Sequence, residues 1–437
     1  MPRYIIDEAA LKRNLEILKN VSNRAGVKIL LAQKAFSCAA TYPLCAKYLA
    51  GTTASSLFEA RHGHDNFGGE THVFAPAFDP SEMDELLGIV DHIVFNSPRQ
   101  IEKFGAAAHS RGVSIGLRVN PEVSVATTPA YDPCRPSSRL GTTLQGLKAQ
   151  APETSKPRNL ETLDGLHFHC LCEQGVDELR KVLAGFEEKF GHLLPYVKWV
   201  NFGGGHHITR ADYDVDELVK LVNDFRTRHP HLEVYLEPGE AVALNAGFLE
   251  AHVLEIQPPS PDGISNVVLD VSAACHMPDV LEMPYTPRIT GAIPLQEFES
   301  LKVSEFESFK VPLLETSISQ ASTPSNHQSP TTQNAQPETR NPIPLTPSNS
   351  QTFKLSNFFY RFGGPTCLAG DEIGTYAFDH QLAEGDTLMF EDMAIYSMVK
   401  NNTFNGVNLP DIAIRHEDGR METLRTFGYN DFSERVS

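Results

Sequence analysis

From about residue 27 the chain alternates short apolar, β-rich runs with amphipathic stretches, and it does so eight times before residue 246. Such an alternation encodes parallel strands joined by crossover helices, because each helix must bury its apolar stripe on a sheet face. The runs are VKILLA (27–32), TASSLF (53–58), HVFA (72–75), HIVFN (92–96), SIGLRVN (114–120), GLHFH (165–169), KWVNF (198–202) and VYLE (234–237). Helix signals separate them. SPRQIEKFGAAAHSRG offers Ser97 as N-cap and Gly112 as stop, and DVDELVKLVNDFRTRHP ends before Pro230. Eight such units predict an α/β fold with a TIM-type (β/α)8 barrel over residues 21–245.

After about residue 246 the helical period fades into β-type runs such as NVVLDVS, DTLMFED and AIYSMV. A second, mostly β domain is therefore expected over 246–437, and the strand-like YIID of the N-terminal residues 1–20 can join it. One segment fits neither unit. Between Glu315 and Thr352, 29 of 38 residues are Ser, Thr, Pro, Asn or Gln, too polar to offset the entropy of ordering. Residues 298–354 read as a disordered insertion, which a surface loop tolerates because closure entropy grows only logarithmically with length.

Charge narrows the partners. The 55 acidic residues against 37 basic ones leave a formal net charge of −18, which disfavours nucleic acid or an anionic membrane and tolerates a cationic ligand. The seven cysteines are odd in number and lack paired CxxC spacing, unlike a disulfide framework or a zinc ribbon. The opening MPRYIID has no apolar signal-like run, and no stretch approaches the roughly 18 apolar residues of a membrane span. The expectation is a cytoplasmic protein with reduced thiols.

In a barrel of this type the chemistry gathers at the C-terminal strand ends, and here those ends carry distinctive residues. Lys34 follows KILLAQ, where desolvation would make an amine nucleophilic enough for a Schiff base; a solvated surface lysine is the plainer alternative. His167 and His169, two apart on a strand, share one face. They could ligate a metal, one of them could stack on a flat cofactor ring, or they could be hydrogen-bonded core histidines. Gly203, Gly204 and Gly205 end a strand and let backbone N–H groups approach an anion, although a tight turn alone would explain them. Glu237 in YLEPGEA points a carboxylate at the barrel mouth, either toward a pyridine nitrogen or as a salt-bridged strand end. GGPTCLAGDEIG presents Cys367 and Asp371 on a constrained loop, against the alternative of an inert thiol.

In this order, PRYIIDEAALKRNLEIL, LLAQKAFS, YDPCRPSSRLG, GLHFHCLCEQ, NFGGGHHITR, EPGEA, CHMPDVLEMPYTPR and GGPTCLAGDEIGTY resemble the fold-type III decarboxylases that use pyridoxal 5′-phosphate. That group contains ornithine, diaminopimelate and carboxynorspermidine decarboxylases, and the fragments look most like its carboxynorspermidine (carboxyspermidine) branch. The resemblance implies a polyamine-forming carboxy-lyase acting on a carboxylated triamine, with another basic amino-acid decarboxylase of the group as the alternative. It implies that Lys34 carries the cofactor, that His169 stacks on its ring, that Gly203, Gly204, Gly205 and Tyr396 hold its phosphate, and that Glu237 faces its pyridine nitrogen. It also implies a homodimer with composite sites. In these, Cys367 from one subunit donates a proton at the other's Cα and Asp371 meets the substrate's distal amine. Acidic Glu372, Asp279 and Glu282 would discriminate a triamine by charge, and Arg139 in SSRLG lies at the cofactor and substrate mouth. No metal is implied. Two features depart from the group: Glu240 follows EPG where ornithine decarboxylase-like members have Arg, and the Ser/Thr/Pro/Gln insertion is unusual. A metal-dependent barrel hydrolase built on His167, His169, His206 and His207 is the competing mechanism, and it leaves Lys34, EPGEA and GGPTC unexplained.

Overall fold

The computed structural model describes residues 1–150, 163–300 and 358–437. A short strand, β1 (Arg3–Asp7), leads into a long helix, Glu8–Ala25, whose first turn is capped by the Asp7 carboxylate accepting the N–H of Ala10. Gly26 ends the helix at φ 62°, a left-handed conformation that favours glycine. Then come β2 (Lys28–Ala32), β3 (Gly51–Ala54), β4 (Glu70–Phe74), β5 (His92–Phe95), β6 (Ser114–Arg118), β7 (Gly165–His167), β8 (Trp199–Asn201) and β9 (Glu233–Leu236). These eight strands are parallel, pair in chain order and close with β9 against β2. The expected (β/α)8 barrel is present.

Its interior is plugged rather than hollow. Leu30, Val94, Trp199 and Tyr235 form a separate buried cluster with Phe74 against it. Space for the chain's single tryptophan comes from Gly116 and Gly165 on the neighbouring strands: a Cβ at Gly165 would lie 2.0 Å from the indole. The plug separates the two barrel mouths.

Three local expectations change. The second strand is β3 at Gly51–Ala54, and Leu57 and Phe58 instead open the helix Leu57–Asn66. The Ser56 hydroxyl accepts the N–H of Glu59 while the Glu59 carboxylate accepts that of Ser55, a reciprocal cap that outweighs the β propensity of the run. AIYSMV is not a strand, because Tyr396 at φ 53° turns the chain into the short helix Ser397–Lys400. β7 stops at His167, so His169 lies beyond the strand.

The remaining strands are β10 (Gly247–Pro259), β11 (Ser265–Leu269), β12 (Ala292–Pro294), β13 (Phe358–Gly363), β14 (Glu372–Phe378), β15 (Thr387–Glu391), β16 (Asp411–Arg415) and β17 (Met421–Arg425). With β1 they form a nine-stranded sheet in the order β12-β14-β13-β11-β10-β1-β16-β17, with β15 also on β10. YIID joins this sheet between β10 and β16. The helix that follows it packs Leu11, Leu15, Leu18 and Val21 into the barrel's hydrophobic cluster, so a boundary at residue 21 cuts that helix. Of the segment 298–354, residues 298–300 are helical, with the Phe298 ring 5.7 Å from that of Phe359. Residues 301–354 lie outside the described residues.

Candidate active site

A cavity of about 360 Å³ opens at the C-terminal mouth of the barrel, where the second domain leans over it. Lys34, His169, Gly205, Glu237, Tyr396, Arg139, Asp279 and Glu282 all line it. Gly203 and Gly204 are buried immediately behind. Lys34 leaves β2 after Gln33, whose amide is held by the Glu59 carbonyl (2.8 Å) and the Tyr42 hydroxyl (2.9 Å). The Lys34 side chain is exposed to the cavity, yet protein surrounds that cavity closely. That desolvation, and then the Arg118 guanidinium, lowers its pKa from the usual lysine range.

Glu237 is buried at the end of β9. Its Oε2 lies 3.1 Å from His167 Nε2 and its Oε1 accepts from Asn201 Nδ2 at 2.7 Å. Burial alone would raise this carboxyl, but His167 and Asn201 outweigh it and hold the pKa at about 2. Burial lowers the pKa of His167 itself. The arrangement that satisfies both groups is a neutral imidazole donating Nε2–H to an ionised Glu237, with Nδ1 left without a partner.

His169 is fixed differently. Its Nδ1 accepts the Gly204 N–H at 2.9 Å, so a neutral ring carries its proton on Nε2. Burial, then Lys34 and Arg118, holds its pKa well below the ordinary histidine value. The glycine loop packs tightly: Gly203 and Gly205 have φ of 71° and 82°, and a Cβ at Gly204 would meet the Glu237 carbonyl at 2.1 Å. Tyr396 enters from the second domain, its N–H bonded to the Ala35 carbonyl at 2.8 Å beside Lys34.

The opposite wall is acidic. Asp279 and Glu282, from the turn Asp279–Glu282, both pair with Lys400, and the Tyr131 hydroxyl donates to the Glu282 carbonyl. Arg139 sits exposed at the rim. Glu173 and Glu240 also line the cavity; Glu240 bonds His207 Nε2 at 2.7 Å and raises that imidazole's pKa against the effect of burial.

The GGPTC loop is placed elsewhere. Cys367 is exposed, its N–H bonded to Asn405 Oδ1 at 2.9 Å, and it does not line the cavity of its own chain. Asp371 differs from the expectation of a ligand-facing acid. It is buried, with Oδ1 accepting from Ser272 Oγ and the Ala274 N–H and Oδ2 from Thr366 Oγ1, so its carboxylate anchors the loop. Glu372 begins β14 on the surface, away from the cavity.

Local reasoning missed Arg118, Glu173, Tyr131 and Lys400. Arg118 was legible in principle: it ends the run SIGLR at an inward position, and it stacks over Phe74 with Nη2 on the His169 carbonyl. Lys400 carries no local signal, and Tyr131 opens the fragment YDPCRPSSRLG, in which nothing points to its hydroxyl. The imidazoles of His167, His169 and His207 are each directed at a different partner and do not converge as metal ligands. Among the described residues the cluster with a metal-like donor set is Glu70, His72 and His92, at the other end of the barrel. There the rings of His72 and His92 are stacked 3.9 Å apart at 9°, so their lone pairs lie in nearly parallel planes, and Lys28 already holds Glu70.

Residues 75–244 match the family described as "Pyridoxal-dependent decarboxylase, pyridoxal binding domain". The chain is 37% identical to a carboxynorspermidine/carboxyspermidine decarboxylase of Campylobacter jejuni over 99% of this chain and 98% of that one. It is 35% identical to a carboxyaminopropylagmatine decarboxylase of Synechocystis over 100% and 95%. The crystal structure of the Campylobacter jejuni carboxynorspermidine decarboxylase complexed with norspermidine superposes with a TM-score of 0.78 at 35% identity, covering 100% of this chain and 99% of that one. With that identity sustained across both domains, and with the lysine, glycine loop and buried glutamate gathered at one barrel mouth, the chain belongs to the carboxynorspermidine/carboxyspermidine decarboxylase family of pyridoxal-dependent decarboxylases.

Proposed function

We propose that this carboxy-lyase holds pyridoxal 5′-phosphate at Lys34 and decarboxylates a carboxylated triamine of the carboxynorspermidine or carboxyspermidine type, as the names of its relatives suggest. One observation carries the reading: a single cavity joins a depressed-pKa lysine and an ionised buried glutamate on one side to Asp279 and Glu282 on the other. The residues fit the cofactor. The glycine loop leaves backbone where a Cβ could not stand, and the lowered pKa of Lys34 keeps a larger fraction of its amine neutral and nucleophilic.

When bound, the cofactor supplies a ring that accepts the electron pair left by departing CO2. The chain's own residues do the rest. Glu237, kept ionised by His167 and Asn201, would hold a proton on the ring nitrogen of a bound cofactor. His169, neutral and oriented by Gly204, offers a flat apolar face. Gly203, Gly204, Gly205 and Tyr396 would hold the phosphate, and the second domain would limit water. The amines of the tail lie along the acidic wall, where charge pairing in a partly desolvated cleft selects a polyamine over ordinary amino acids. Arg139 guards the rim.

Cys367 is accessible and lies off its own cavity, which supports a homodimer in which each subunit lends this thiol, as proton donor to Cα, to the other's site. Asp371 then acts by holding that loop in shape. The described residues include no helix long and apolar enough to cross a membrane, and the seven cysteines are free; both suit the cytoplasm. We take the barrel with the Glu8–Ala25 helix as the cofactor-binding unit and the sheet with β1 as the second.

The Synechocystis relative favours a second reading, a guanidino-tailed substrate. Against it, the acidic wall already accommodates a compact ammonium, that of Lys400, between two carboxylates. The test is CO2 release by the purified holoenzyme from carboxynorspermidine, carboxyspermidine and carboxyaminopropylagmatine. Preference for the first two supports the triamine reading, preference for the third replaces it, and release from none sinks both.

A further inference from the structure

The acidic wall of the cavity already contains a cation belonging to the chain. Lys400 extends from the end of the short helix Ser397–Lys400 in the second domain and places its ammonium between Asp279 Oδ1 and Glu282 Oε2, the latter at 2.6 Å. The two acids are three residues apart on one turn and so project to the same side. All three side chains line the cavity together, so a ligand cation that reaches Asp279 must meet Lys400 there.

The charge state is clear. Burial disfavours the ammonium, but Asp279 and Glu282 outweigh it and raise its pKa above the usual lysine value. A lysine ammonium is a point charge with three donors on a flexible alkyl stem. The terminal ammonium of a polyamine tail is the same chemical group on the same kind of stem. A second ammonium brought to Asp279 would stand within a few ångströms of the first, and like charges so placed repel each other. The Lys400 side chain is 34% exposed, whereas that of Asp279 is 10% exposed; the lysine can swing into solvent, and the aspartate is held in place.

We propose that Lys400 is an internal competitor for the substrate's tail: it fills the Asp279–Glu282 subsite in the free enzyme and is displaced by the terminal ammonium of the bound polyamine. This rests on the carboxylated-triamine reading of the site. Binding of the tail is then an exchange of one ion pair for another, and only a ligand that presents its own ammonium at that depth can make it. An amino acid without such a tail leaves Lys400 in place and gains nothing from the two carboxylates. Lys400 thereby sets a threshold for tail recognition without touching the reacting carbon.

The experiment is calorimetric titration of the holoenzyme with norspermidine, comparing wild type with K400M and K400R. Circular dichroism and cofactor absorbance establish that each variant is folded and loaded, and K400Q stands in should K400M fail to fold. Removing the competitor should tighten norspermidine binding about tenfold, whereas K400R, which keeps a competing cation, should stay within about threefold of wild type. A variant lacking the ammonium that binds norspermidine equally or less tightly overturns the proposal and leaves Lys400 as a residue that merely organises the two acids. Wild-type enzyme that neither binds norspermidine nor decarboxylates a carboxylated triamine overturns the underlying reading and this inference with it. Triamine turnover by wild type without tighter binding in K400M sinks the competitor alone.

Discussion

The two mouths of the barrel are both rich in titratable groups, yet only one of them is built as a site. At the N-terminal mouth, Lys28 pairs with Glu70 and Glu233, Tyr235 donates to Glu233 at 2.7 Å, and His72 Nε2 lies 2.9 Å from Glu70. Each carboxylate there has a partner within the chain, and the space above is filled by Trp199 and Tyr235. At the C-terminal mouth, Lys34 and Arg118 face a cavity instead, and the carboxylate of Glu237 is held ionised beside it. Density of charge therefore does not identify a site. What does is charge left facing open space, and that space is made by a glycine loop on one side and a second domain on the other.

The comparison breaks most visibly at its two lysines. Lys34→Ala should lower turnover by about 10⁴-fold or more and abolish the absorbance of bound pyridoxal phosphate. Lys28→Met, at the closed mouth, should keep turnover within about twofold and cost about 1 kcal/mol of stability, since its ion pairs are partly exposed. Comparable losses of activity in both variants would erase the distinction between the mouths.

A smaller effect separates the carboxylates. Glu237→Gln keeps shape and hydrogen-bonding capacity but loses the charge, and kcat should fall about 10²- to 10³-fold with the thermal midpoint little changed. An active Gln variant would show that the ionised state maintained by His167 and Asn201 has no part in turnover.

Complementation sharpens the role of the second domain. Inactive Lys34→Ala mixed with inactive Cys367→Ala, under conditions of subunit exchange, should recover about a quarter of wild-type activity, because half the dimers are mixed and each of those has one intact site. No recovery despite demonstrated exchange would place Lys34 and Cys367 of one site on the same chain.

The smallest effect is on stability against pH. His92 at the closed mouth has its pKa lowered by burial and by His72 to about 3, and burial lowers His206 near the open mouth to about 4. The unfolded chain takes up these protons near pH 6.5 while the folded one does not, so stability should fall as pH drops from about 6.5 toward 4 and below. Glu237, lowered to about 2, adds a further loss below pH 4.5. Thermal melts across this range should show a shallower acid decline in His92→Asn than in wild type, and identical slopes would refute the assignment of a buried neutral imidazole there.

The eightfold alternation and the glycine and proline punctuation lie in the local order of residues, so the barrel and the strand-end residues were readable from it. Lys34, His169, Gly205 and Glu237 line the same cavity because strand ends of one parallel barrel all face one mouth. The second strand was misplaced because TASSLF has β-type composition, and only the reciprocal Ser56–Glu59 cap, a contest between local motifs, tips it into helix. The ligand role of Asp371 is implied by the family resemblance alone, and its local sequence does not decide where the carboxylate points. Its partners Ser272 and Ala274 lie roughly a hundred residues away, beyond the reach of any window of sequence.

What the sequence determined by itself was therefore the periodic and the covalent: most of the strands, the residues close to their ends, and the eight fragments that mark a pyridoxal-dependent decarboxylase. Tertiary structure alone decided which charges are spent on one another and which remain for a ligand. Asp279 and Glu282 meet Lys400 from 118 residues or more further along the chain, and Tyr131 reaches Glu282 from 151 residues before it. The first contact depends on how the sheet domain folds on itself and the second on how it lies over the barrel, and at such separations electrostatic pairing follows from distance in space, which hydrophobic periodicity does not encode.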